Sequence, residues 1–276
     1  MNHKISGREI LRADEKVLAD HLRSEEYATQ ALVLIPGIRD WGGWTNIVKE
    51  QLKINNHIKV IPIRPNGWID LLSFLLPPLH KYAEKSVSKQ INALKNHNYY
   101  EISFIAHSFG SHCLVKYVKS GDINNISKII LCGSIVKDNI PWEEYINIHD
   151  RSKTPTIVND CGYYDPWPIV ARWLFPWKFG SVGRTGISHP YAENRYHNFG
   201  HGGFFNHNFI QKYWIPYITS KAIVPSNIRK KTDISLVTTF FTLPYFSLPI
   251  LTVVALFFYF LCGSNIGWCI KVIFWN

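Results

Sequence analysis

The residues Ile105-Ala106-His107-Ser108-Phe109-Gly110-Ser111 decide how the rest of this chain is read. An apolar run, Glu101-Ile102-Ser103-Phe104-Ile105-Ala106, leads into them. A helical pattern with Leu114, Val115 and Val118 on one face follows, and Gly121 is placed to stop it. Strand, sharp turn with a serine at its apex, then helix is the layout of a nucleophile elbow. Such a turn strains the backbone of the serine and demands small residues two positions to either side. Ala106 and Gly110 meet that demand. A five-residue pattern of this kind is weak alone, since an ordinary strand-to-helix turn also satisfies it. The elements on either side carry the argument.

Those elements alternate. Residues 31–35 form a continuous apolar run, as expected of a strand buried on both faces of a parallel sheet. The glycine-rich loop Pro36-Gly37-Ile38-Arg39-Asp40-Trp41-Gly42-Gly43-Trp44 follows, then a helix over 45–53. The pattern predicts further strands at 57–62, 127–132, 156–159 and 194–199, and a helix at 85–96. Strands alternating with helices imply βαβ units with right-handed crossovers. The fold class is therefore α/β: a three-layer sandwich on a mostly parallel sheet of about six strands. Sites in such sheets lie beyond the carboxyl ends of the strands. Residues 1–30 read as a helical extension, 31–225 as the main domain, and 226–276 as a basic linker with an apolar tail. Two further apolar segments, 68–78 and 166–177, are explained by ordinary packing, or by an acyl-binding wall or membrane-facing rim.

With 276 residues and 46% apolar content, the chain has material for one sizeable core plus an appendage, which excludes general disorder. The formal charge is +10, but the basic residues are scattered and carry no zinc-finger or RNA-binding signature. The charge is read as affinity for an anionic membrane surface, with no nucleic acid partner. The five cysteines are odd in number and none stands in CxxC spacing, against a disulfide framework or a structural zinc site. Residues 1–30 contain no apolar signal region, so reduced thiols in a cytoplasmic domain are expected. From Ile234 to Ile270 there is no Asp, Glu, Lys or Arg, which exceeds the ~20 residues of a spanning helix. Residues 240–262 make one crossing, or the tail forms a re-entrant hairpin. Arg229-Lys230-Lys231 just before it places the large domain on the cytoplasmic side.

A serine hydroxyl needs a base to take its proton and a third group to orient that base. Downstream the chain offers Asn159-Asp160-Cys161-Gly162-Tyr163-Tyr164-Asp165 and then Phe199-Gly200-His201-Gly202-Gly203. Asp160 and Asp165 are both candidate acids. His189, His197 and His207 compete with His201, although each of the three is expected to be a surface or packing histidine.

In the order Ser, Asp, His, and in its strand pattern over residues 31–209, the chain resembles an α/β-hydrolase. The resemblance implies Ser108 as nucleophile and His201 as base. It implies Asp165, through the match to Gly162-Tyr163-Tyr164-Asp165, as the orienting acid, which leaves Asp160 to cap or brace the loop. It also implies an oxyanion hole from the backbone N–H groups of Ile38 and Phe109. Two antiparallel strands found in many such proteins have no counterpart, so the sheet is expected to be shortened. Residues 136–154 leave room for only a small lid. The implied activity is that of a membrane-anchored serine hydrolase acting on carboxylic esters, lipid or acyl esters first. A thioesterase or amidase on the same residues is the alternative, as is a non-catalytic membrane effector on a hydrolase-like scaffold. No metal or other cofactor is implied.

Overall fold

The computed structural model describes residues 29–38, 42–64, 74, 76–97, 99–121, 125–142 and 157–228. The expected amino-terminal helix, residues 39–41, most of 68–78 and the tail at 234–270 lie outside them. Six strands form one sheet: β1 (Gln30–Ile35), β2 (Ile58–Pro62), β3 (Glu101–His107), β4 (Ile126–Cys132), β5 (Ile157–Gly162) and β6 (Ala192–His197). Their order is β2-β1-β3-β4-β5-β6, and every neighbouring pair is parallel. This is the α/β-hydrolase-like layout, and among the described residues it carries no antiparallel strand in the sheet.

Alternation along the strands divides the core into two layers. Val33, Phe104, Ala106, Ile129 and Leu131 face one side, against Ile91 and Leu94 and against Leu114 and Val118. These partners belong to α2 (His80–Asn92) with its 3-10 extension (Ala93–Asn96), and to α3 (Phe109–Lys119). Leu32, Leu34, Ile105, Ile130 and Val158 face the other side. They meet Trp44, Val48 and Leu52 of α1 (Gly43–Leu52), together with Trp214, Tyr217 and Ile218 of the closing helical stretch. That stretch runs through His207–Phe209, a π-helical turn at Ile210–Trp214, and Ile215–Ser220.

Two strands differ from expectation. β5 continues to Gly162 and so takes Asp160 into the sheet, and β6 begins at Ala192, two residues early. The register sets Asp160 beside Arg195 and Gly162 beside His197. β5 gains buried polar residues, which give no apolar signal to a sequence reading, and β6 gains the part-exposed Ala192 and the exposed Glu193, which give none either. Asp160, expected to cap the loop, is instead an interior residue. Its carboxylate accepts from Arg195 Nε (2.8 Å) and Nη2 (2.7 Å), His197 Nε2 (3.0 Å) and Trp214 Nε1 (2.9 Å). Burial alone would raise its pKa, but the Arg195 charge and these hydrogen bonds outweigh it and hold the carboxyl below the usual carboxylate range.

Candidate active site

The β3–α3 turn is built as the sequence requires. Ser108 has φ 52° and ψ −123°, outside the regions open to most side chains. A conformation of this kind costs on the order of 1–3 kcal/mol and persists where surrounding structure enforces it. Ser108 N–H donates to Cys132 O at 3.1 Å, and the Ser111 hydroxyl bonds Ser134 Oγ at 2.8 Å beneath the turn. A Cβ on Gly110 would stand 2.5 Å from Pro36 O, so only glycine lets α3 lie this close to the end of β1. A Cβ on Gly37 would meet Ser108 Cβ at 2.9 Å, which fixes how tightly the β1 loop passes the serine.

Three side chains from separate loops meet at this rim. The Ser108 hydroxyl lies 2.9 Å from His201 Nε2, and His201 Nδ1 lies 2.7 Å from Asp165 Oδ2. With Nδ1–H donating to the carboxylate, Nε2 is left to accept the serine proton. Asp165 has no solvent exposure, and its other oxygen accepts the Trp167 backbone N–H at 3.0 Å. The carboxylate is therefore held from two directions. The His201 side chain keeps 23% of its surface exposed, enough to reach a substrate and water. Phe109 is the first residue of α3, where a backbone N–H has no carbonyl of its own helix to meet. Ile38 follows Gly37 in the loop that passes Ser108.

The other candidate histidines are placed elsewhere. His197 is buried on Asp160, the His189 ring accepts the Tyr191 backbone N–H at 3.3 Å, and His207 is exposed at the start of the closing helical stretch. A contribution not anticipated comes from His107. Its Nε2 bonds the backbone oxygen of His201 at 3.1 Å, and the two rings are 4.5 Å apart. The only sequence signal for it was its position immediately before the serine.

Apolar core lies beside the rim. Phe175, Phe179 and the part-buried Phe74 pack with Phe109, and a small pocket beside Ile38 and Phe109 is lined further by Ile63, Arg64, Ala83, Ser86, Val87 and Cys113. The exposed Trp167 indole stands 6.4 Å from the His201 ring. Beneath the aromatic wall, Glu84 accepts from His112 Nε2 and Lys178 Nζ, both at 2.9 Å. Burial raises the Glu84 pKa, but those hydrogen bonds outweigh it and bring the carboxyl to about 2. Burial lowers His112, which donates as a neutral ring, so Lys178 is the ionic partner of Glu84. His80 is fully buried among the same phenylalanines and donates to Phe74 O at 2.7 Å. Burial brings its pKa down to about 4.

Cys113, Cys132 and Cys161 are buried thiols. Among the described residues no group of His, Cys, Asp and Glu is arranged to hold a metal ion. No helix among them is long and apolar enough to cross a membrane.

No protein-family model and no curated protein sequence matches this chain. Solved structures with a similar fold include a lipase-esterase related protein from Clostridium acetobutylicum (9% identity, 67% of this chain and 91% of that one, TM-score 0.43). An esterase from Exiguobacterium antarcticum (13%, 63% and 86%, 0.41) and a thioesterase of the prodiginine pathway from Streptomyces coelicolor (14%, 65% and 85%, 0.35) are similar in the same way. At TM-scores below 0.5 these likenesses carry no argument about this chain's chemistry, which has to come from its own site.

Proposed function

We propose that this protein is a serine hydrolase that cleaves carboxylic esters, with lipid or acyl esters as the leading substrates. The observation that carries the reading is the unbroken line from the Ser108 hydroxyl through His201 to the buried Asp165, at 2.9 and 2.7 Å. In this reading Ser108 Oγ attacks the ester carbonyl while His201 Nε2 takes its proton. Asp165 holds the ring and stabilises the imidazolium that forms. The N–H groups of Ile38 and Phe109 hold the oxygen that gains charge. His201 then protonates the departing alcohol. A water, activated by the same nitrogen, releases the acid and restores Ser108.

The exposed Trp167 indole, 6.4 Å from the His201 ring, supports an apolar substrate group, and the tail at 234–270 supports attachment to a membrane, with the catalytic domain on its cytoplasmic side. The test is labelling with a fluorophosphonate probe. The wild-type chain is expected to be labelled and Ser108→Ala is not; persistent labelling of that variant would remove Ser108 from the mechanism. Hydrolysis of short and long p-nitrophenyl esters, with and without detergent, then reports acyl preference.

A further inference from the structure

Scattered along the sequence, four lysines come together in the fold. Lys116 and Lys119 stand at the end of α3, Lys137 follows β4, and Lys178 follows the helix α4 (Trp167–Leu174). They line one groove of about 430 Å³, well within the size of small-molecule sites, and among the described residues no acidic one lines it with them. Cations drawn to one concavity favour an anion there, although Lys178 already has Glu84 as its counter-charge. The groove also holds its cations in place. Lys137 Nζ donates to Trp177 O at 2.6 Å, and Lys178 is steadied by Glu84 at 2.9 Å beneath it. Lys116 and Lys119 sit in the last turn of α3, where the helix dipole favours positive charge.

The rest of the lining is not what a small hydrated anion needs. Val136 and Ile140 form apolar floor, and Trp177 leaves 57% of its surface exposed beside the lysines. Cations next to apolar surface and an exposed tryptophan match the depth profile of a lipid headgroup region. We propose that this groove binds the phosphate headgroup of an anionic phospholipid. It is then a contact with the bilayer distinct from the apolar tail, and it stands whether or not the chain hydrolyses esters. His112 links groove and active site: it lines the groove and its ring stacks on Phe109 at 5.8 Å.

The test uses the full chain in neutral detergent, which covers the tail, titrated with short-chain lipids. Dihexanoyl phosphatidylglycerol is expected to bind at least about tenfold more tightly than dihexanoyl phosphatidylcholine, and more weakly as salt rises. The four-site variant Lys116→Gln, Lys119→Gln, Lys137→Gln, Lys178→Gln is expected to lose roughly a hundredfold in that affinity. Lys49→Gln with Lys53→Gln, in and just after α1, is expected to change nothing. Because Lys178→Gln unpairs Glu84, the exposed pair Lys116→Gln and Lys119→Gln carries the test alone if the four-site variant does not fold, with about a tenfold loss. Equal affinity for the two lipids, or lysine variants that bind as the wild type does, would overturn the proposal. Glycerol 3-phosphate binding as tightly as phosphatidylglycerol would assign the groove to a free phosphate ester and overturn the lipid assignment.

Discussion

Asp160 and Asp165 stand five residues apart around the end of one strand, and both are fully buried, yet the fold uses them oppositely. The oxygens of Asp160 are taken by four donor atoms, two of them on a fixed, buried guanidinium. The charge has a permanent partner and nowhere to pass influence. Asp165 has no such cation: one oxygen meets a backbone N–H, and the other meets an imidazole whose far nitrogen reaches a hydroxyl at the rim. Burial therefore does not decide whether a carboxylate is structural or chemical. What decides it is whether its partner is saturated or has a second, open end.

The largest effect expected from this contrast is kinetic. Asp165→Asn should lower kcat for ester hydrolysis roughly ten-thousand-fold, because the ring loses its orienting acceptor, with the midpoint of urea unfolding shifted far less than in the strand variant below. Asp160→Asn should do the reverse. It leaves Arg195 buried without its counter-charge, a loss of about 3–5 kcal/mol in urea unfolding, while turnover per labelled active site stays near wild type. If the two variants shift stability and turnover in the same proportions, the division between the two acids is wrong.

The pH dependence of stability sharpens the contrast further. His80 is held neutral in the fold, with its pKa lowered from 6.5 to about 4. Its stabilising contribution is complete above pH 6.5 and declines as pH falls toward 4, on the order of 3 kcal/mol over that window. Asp160 is depressed below its ordinary value, so its contribution is intact above about pH 4 and is lost as pH falls through the lower folded value. Urea unfolding at pH 7, 5 and 3 should therefore show an earlier loss that His80→Gln reduces and a later one that it leaves alone. The smallest effect belongs to Trp167, which touches the site only through its exposed face. Trp167→Ala should raise KM for aryl esters a few-fold with kcat within about twofold, measured against methyl esters of the same acid.

Much of the fold was legible because its buried strands are apolar on both faces. Residues 31–35 and 127–132 advertise themselves, and the elbow follows from two small residues flanking Ser108. The pairing of Asp165 with His201 was legible through the order of motifs and the spacing from Gly162. What the sequence concealed was polar and distant. β6 was legible as a strand only from Asn194 on, and nothing local tells that Asp160 waits across the ladder from Arg195. His107 is silent for the same reason, its acceptor lying 94 positions away. The lysine groove looked like scattered charge until three segments closed around it.

The backbone at Ser108 carries a last consequence. A residue pinned at φ 52° and ψ −123° sits where an achiral α-carbon would be at ease. Ser108→Gly should therefore melt higher than Ser108→Ala, and about a degree or two above the wild type is all that separates a sturdier molecule from a reactive one. Sturdiness and reactivity pull against each other at that single carbon, and thermal melts of the three chains side by side would read the tension directly.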